Sequence, residues 1–191
     1  MAAGILNTRP NRTAFTDNGP RLRRHGGWLR AHLSAALLAA ALWLMLSSNA
    51  WARTATVERC IQGAARQYRI HPAVLRAVLS VESRLDPSAR NLNTNGTVDL
   101  GIGQINSVHL PELSRMGIEE RHLLDPCIGS YVAAWHLGRQ LRRFGETWWG
   151  VGAYHSTTPQ RNQRYQVLVY NEMVRTGALR GQPRPVPPLA P

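Results

Sequence analysis

Glu82 is the residue through which chemistry enters this sequence. It lies near the end of the stretch from His71 to Ser83, where Leu75, Val78, Leu79 and Glu82 fall at i, i+3, i+4 and i+7. Read as a helix, these four share one face, so an acid sits on the stripe that should meet the core. An ionised carboxylate there is costly unless it is paired, so the group tends to keep its proton. A Glu held neutral near pH 7 can donate that proton to a leaving group. A Glu near a helix end also suits a salt bridge to Arg84 or a hydrogen bond to a loop. Position alone leaves both open.

A second chemical stretch is Asp99-Leu100-Gly101-Ile102-Gly103-Gln104-Ile105-Asn106-Ser107. Its two glycines let the backbone pass close to a ligand or to a packed helix. Gln104 and Asn106 carry amides of the kind that read sugar hydroxyls and acetamido groups. A helix start with Gln104 exposed is the competing reading. The spacing matches neither nucleotide-binding fingerprint, and no Lys follows. A third stretch is Gly152-Ala153-Tyr154-His155-Ser156.

The elements that position these residues read as helices. Thr54 to Tyr68 places Val57, Cys60, Ile61 and Ala64 on one face. Pro72 suits the first turn of the helix that carries Glu82, and Asp86-Pro87 breaks it. Residues 88–98 are a polar loop with an Asn95-Gly96 turn, where a small β-hairpin fits. Pro111 to Met116 is a short helix stopped by Gly117. Asp125-Pro126 is a strong start signal for a helix reaching Phe144. Its apolar stripe is Ile128, Tyr131, Val132 and Trp135, with Gly138 letting a neighbouring helix come close. Thr147 caps a helix from Trp148 towards Ser156, and Pro159 opens a last one to Gly177. The sum is a mostly α, compact domain of about six helices with little strand.

Ahead of this domain, Arg21, Arg23, Arg24 and Arg30 precede twelve apolar residues, Ala35 to Leu46, followed by Ala50-Trp51-Ala52. A basic segment, an apolar run and an A-x-A site read as a secretory signal cut after Ala52, directing the protein to the periplasm. Twelve residues fall short of a membrane span of about 20. Residues 1–52 are thus a signal peptide with a long basic leader, 53–177 the functional domain and 178–191 a Pro-rich disordered tail. Export permits a bridge between Cys60 and Cys127, the only two cysteines. The chain-entropy model assigns a loop of that length roughly 4 kcal/mol.

The formal net charge is +12, and every cation is Arg. From Arg53 onward, 17 Arg face 10 acids, which leaves +7. Such a surface suits an anionic polymer. No basic run follows Arg53 and no nucleic-acid motif appears, so nucleic acid is not an expected partner.

Glu82-Ser83, then Asp99 to Ser107, then Gly152-Ala153-Tyr154-His155-Ser156, in that order, resemble the soluble lytic transglycosylase family, which has a goose-type lysozyme-like fold. The resemblance runs from about Cys60 to Met173. It is nearest to the small specialised members that accompany secretion, conjugation and pilus machines. It implies cleavage of the β-1,4 bond between N-acetylmuramic acid and N-acetylglucosamine in peptidoglycan, leaving a 1,6-anhydro end. Glu82 matches the family's sole acid/base, so the usual glycosidase pair of carboxylates is not needed. Ser83 matches the residue held to orient the Glu or the sugar. Gln104 and Tyr154 match residues on the substrate side of the cleft and near the catalytic centre. Asn106 and Tyr165 are further substrate-binding candidates.

Two positions depart from the family pattern. Gly103 stands where a larger residue, often Met, is usual, and is expected to widen or loosen the cleft. His155 stands where many members have Asn, although the specialised members often carry Ala-Tyr-His-Ser. Trp135, Trp148 and Trp149 are candidates for sugar stacking or for core, with core favoured. His109, His122, His136 and His155 lack metal-ligand spacing, so no metal and no cofactor are expected. The expected protein is a monomer acting on peptidoglycan glycan strands, with components of a transenvelope machine as possible partners. Its rivals are a hydrolytic muramidase, with Asp86 or Asp99 positioning water, and a catalytically weak peptidoglycan-binding assembly factor.

Overall fold

The structure is a computed structural model that describes residues 52–189. The leader, the apolar run and the signal-cleavage motif up to Trp51 lie outside the described residues.

A helix, α1, covers residues 52–68. Val57, Cys60, Ile61, Ala64 and Ala65 on it are buried. Arg69, with φ at 55°, turns the chain into α2, Pro72–Ser83. The His71 imidazole caps α2 by accepting from the Ala73 amide at 3.2 Å. Leu75, Ala77, Val78 and Leu79 are its buried face, as its period requires. Arg84 and Leu85, with φ of 58° and 65°, then stop it abruptly. Two successive left-handed residues that are not glycine store strain directly after Ser83.

A three-stranded antiparallel sheet follows: β1 Arg90–Leu92, β2 Val98–Leu100 and β3 Ile105–Asn106, in that order. Asp99 stands opposite Asn91 on one side and Asn106 on the other. The glycine at the β2–β3 turn is obligatory. Gly101 has φ of 69°, and a Cβ there would lie 1.9 Å from the Leu123 carbonyl oxygen.

Short helix α3, Leu110–Ser114, and a 3-10 turn, Glu120–Leu124, lead to α4, Pro126–Phe144. The Asp125 carboxylate caps α4, accepting from the Cys127 and Ile128 amides at 2.9 Å each. Its buried face is not the large apolar stripe expected from the sequence. Gly129, Ser130, Val132, Ala133, Ala134, Leu137 and Gly138 are buried, while Tyr131 is exposed and Ile128 and Trp135 are half-buried. Small residues face inward because neighbours come close: a Cβ on Gly129 would lie 2.8 Å from the Leu123 carbonyl oxygen. Gly138 lies within the continuous α4 and faces Tyr68 of α1.

Thr147 caps α5, Trp148–Gly152, which is shorter than expected. The last helix, α6, spans Pro159–Arg175 and buries Asn162, Tyr165, Val169 and Met173. It packs on α2 and α5, and α5 packs on α4. Residues 178–189, expected as a disordered tail, carry no helix or strand. They are nevertheless tied to α6. The Leu179 amide donates to the Met173 carbonyl at 3.1 Å, and Asn171 both donates to and accepts from the Arg184 backbone. Cys60 and Cys127 are bridged, joining α1 to the first turn of α4.

Candidate active site

The last full turn of α2 brings Glu82 to the base of an open cleft of about 790 Å³. The sheet and its β1–β2 turn form one rim, the turn contributing Asn93 and Thr97 and the strands Asp99 and Asn106, and α4 contributes His136, Gln140 and Arg143. Tyr154 and His155, at the end of α5, complete the wall beside Glu82. Asn91 and Asn93 were read from sequence only as loop residues. Their cleft-facing role depends on a sheet whose strands are too short to show a period-2 pattern.

Glu82 is half-buried as a residue, and protein atoms enclose its carboxyl on most sides. Burial pushes its pKa from 4.5 up to about 7. A hydrogen bond from the Tyr165 hydroxyl to Oε1, at 2.5 Å, opposes that rise, and the charge of Asp99 adds to it. The acid is thus poised to hold a proton near neutral pH, and no ion pair to Arg84 forms.

The aromatic residues form a continuous stack behind it. The Tyr165 ring lies parallel to His155 at 5.1 Å and to Tyr154 at 6.3 Å. Burial raises the pKa of both tyrosines well above 10, with the Glu82 charge as the next cause, so both remain donors. The Tyr154 hydroxyl donates to the Gly103 carbonyl at 2.6 Å. This bond explains Gly103, and the space beside it is not loose. A Cβ at 103 would lie 2.6 Å from Ala133 Cβ and 3.0 Å from the Tyr154 hydroxyl. The glycine lets α4, α5 and the β2–β3 turn converge.

The remaining expected site residues divide. Gln104, held at φ of 47°, lines the cleft. Its amide nitrogen donates to the Gly101 carbonyl at 2.9 Å, leaving Oε1 without a partner among the described residues. Asn106 lines the cleft but is committed. Its amide donates to Asp99 at 2.7 Å and to Thr97 at 3.0 Å, and its Oδ1 caps the turn at Val108. Ser83 contacts neither the Glu82 carboxyl nor the cleft. Its hydroxyl donates to the Ile102 carbonyl at 2.8 Å and accepts from the Asp86 amide, pinning the end of α2 to the glycine-rich turn.

Asp86 is also outside the cleft; its carboxylate accepts from Ser88, which lowers its pKa. Asp99 is inside it and accepts from Asn93 and Asn106. Trp135, Trp148 and Trp149 do not line the cleft. Trp135 lies under the Arg139 guanidinium, and Trp148 packs edge-on against Tyr170. His109 and His136 do line the cleft. His136 is pushed down to about 4, chiefly by burial and then by the charge of His109. It is therefore neutral, with Nε2 bonded to the Tyr154 carbonyl at 3.3 Å and Nδ1 buried without a partner.

A buried acid with a raised pKa in a polar cleft, in a helical domain with a small sheet along one rim, is the arrangement of a lysozyme-like glycan-cleaving domain. The family model described as the transglycosylase SLT domain matches residues 59–171. The chain belongs to that family, whose members are lytic transglycosylases of peptidoglycan. The chain is similar to Invasion protein IagB of Salmonella typhimurium, with 38% identity over 123 residues, covering 63% of this chain and 73% of the relative. It is similar to Protein IpgF of Shigella flexneri, with 35% identity over 124 residues, covering 62% and 82%. The X polypeptide of Escherichia coli matches at 38% over 109 residues, covering 55% and 64%.

Proposed function

We propose that this protein cleaves the β-1,4 bond between N-acetylmuramic acid and N-acetylglucosamine without water, using Glu82 as its sole acid and base. One observation carries the reading: the Glu82 carboxyl lines the cleft, enclosed enough that burial lifts its pKa to about 7, with the Tyr165 hydroxyl bonded to one oxygen. The hydroxyl of Tyr165 occupies Oε1, so the proton is delivered from Oε2 to the glycosidic oxygen. The C–O bond breaks and the N-acetylglucosamine unit leaves as an alcohol. The substrate's acetamido group assists at C1. The resulting carboxylate, stabilised by Tyr165, takes the proton of the muramic C6 hydroxyl as that oxygen closes on C1. The acid is regenerated and a 1,6-anhydro end is left. Gln104 Oε1 and the Gln140 side chain are positioned to read sugar hydroxyls and amides.

A second carboxylate acting on water is disfavoured by what the acids touch. Asp86 lies outside the cleft, and Asp99 is engaged by two Asn amides. The wall-binding alternative drew on Gly103, which is tightly packed.

The basic leader and apolar run support export to the periplasm. The family resemblance, together with the similarity to the invasion protein IagB, supports local wall opening for a transenvelope machine. Clearing of purified sacculi by the wild type and by Glu82→Gln tests the catalytic assignment. The wild type should clear and the variant should lose at least ~100-fold in rate, in line with general acid–base contributions. Equal rates would contradict the assignment.

A further inference from the structure

A second cavity, of about 370 Å³, opens on the other side of Glu82 and His155, which line both spaces. Its floor is apolar, from Val81 and Leu168, and its rim carries Arg161 and Arg164 of α6. Neither guanidinium makes an ion pair among the described residues. The chain's own tail finishes the wall. Arg164 Nη1 donates to the Pro187 carbonyl at 2.5 Å, and Leu189, half exposed at 53%, borders the opening. Upstream, the Arg184 guanidinium lies 4.0 Å over the Tyr170 ring, and Asn171 holds the Arg184 backbone through two hydrogen bonds. The tail therefore fixes the Arg164 side chain at the cavity instead of leaving it in solvent.

The substrate chemistry selects what two unpaired guanidiniums beside the acid can read. The glycan backbone of peptidoglycan is neutral; its charge lies on the peptide stem joined to the muramic lactyl group. We propose that this cavity is a subsite for that stem, with Arg161 and Arg164 binding its carboxylates and Val81, Leu168 and Leu189 covering its aliphatic part. The inference rests on the assignment of Glu82 to muramic-acid chemistry, because the cavity shares Glu82 with the cleft. Guanidinium–carboxylate pairs are directional and often bidentate, so the site reads charge and not bulk alone. A space of this size holds a short peptide segment.

Two measurements on the full chain test it. The first is titration of Glu82→Gln with free stem tetrapeptide, and with the same peptide converted to carboxamides, followed by calorimetry. The carboxylate form should bind at least ~10-fold more tightly, the value of one charged hydrogen-bonded contact. Arg161→Gln combined with Arg164→Gln should abolish the difference. Arg161→Gln alone, at an exposed position, should reduce it without disturbing the fold. Equal binding of both peptides, or an unchanged preference in the double variant, overturns the subsite.

The second is turnover of glycan strands whose stems are either native or amidated. Native stems should give a kcat/KM about tenfold higher, with the ratio falling towards one in the double variant. Cleavage of both strands at one rate overturns the subsite while leaving the catalytic assignment standing. Cleavage of neither strand overturns the catalytic assignment, and the titration then decides the subsite by itself.

Discussion

The Tyr165 hydroxyl, on α6, donates to Glu82 Oε1, on α2, at 2.5 Å. This bond joins the two helices at Glu82 and sets the balance of its carboxyl. Burial favours the protonated form, while the tyrosine hydrogen bond favours the carboxylate. The proposed role, acid first and then base, draws on both influences.

Removal of that hydroxyl in Tyr165→Phe should therefore shift the alkaline limb of the kcat/KM profile to higher pH. It should also slow turnover by about 10-fold or more, since the carboxylate formed after proton transfer loses its donor. A pH–rate series on sacculi reads both effects. A limb that moves to lower pH would contradict the assigned role.

The same acid costs stability above neutrality. Its folded pKa of about 7 lies above the unfolded value of 4.5, so the folded state binds the extra proton between those pH values. The unfolding free energy contributed by this group is fully present below about pH 4.5. It falls as pH rises through 7, by up to about 3 kcal/mol. Glu82→Gln should abolish this loss and be the more stable protein at pH 8. Urea denaturation of both proteins at pH 5 and pH 8 measures it, and parallel stabilities at the two pH values would refute it.

The interior of the α2–α4–α5 junction was only partly legible in the sequence. The placement of Glu82 on a buried stripe follows from the 3.6-residue period of Leu75, Val78 and Leu79, and the start of α4 follows from Asp125-Pro126. Local signals of that kind carry their own geometry. The partners of Ser83 and Asn106 do not, because they depend on where the glycine-rich turn comes to rest. Ser83 pins α2 to Ile102, and Asn106, which lines the cleft, braces Asp99 and the turn at Val108. The buried face of α4 was misread for a related reason. Its contacts are close backbone approaches at Gly129 and Ala133, and small residues give no amphipathic signal.

Gly103 shows the same principle as a stability prediction. Gly103→Ala forces a Cβ to within 2.6 Å of Ala133 Cβ and crowds the Tyr154 hydroxyl. Overpacking of this kind costs about 1–3 kcal/mol. Thermal melting should show the loss, and Gly103→Ala paired with Ala133→Gly should recover part of it. A neutral Gly103→Ala would mean that the junction has room for a Cβ and is not tightly packed.

The mass of the released muropeptides tests the account most directly. Complete digestion of sacculi by the wild-type protein should yield ends of the mass of 1,6-anhydro-N-acetylmuramic acid, with no water added, and Glu82→Gln should yield none. Products each heavier by one water, formed from the outset of the digest, would contradict a Glu82 that works alone, giving one proton to the glycosidic oxygen and taking another from the muramic C6 hydroxyl.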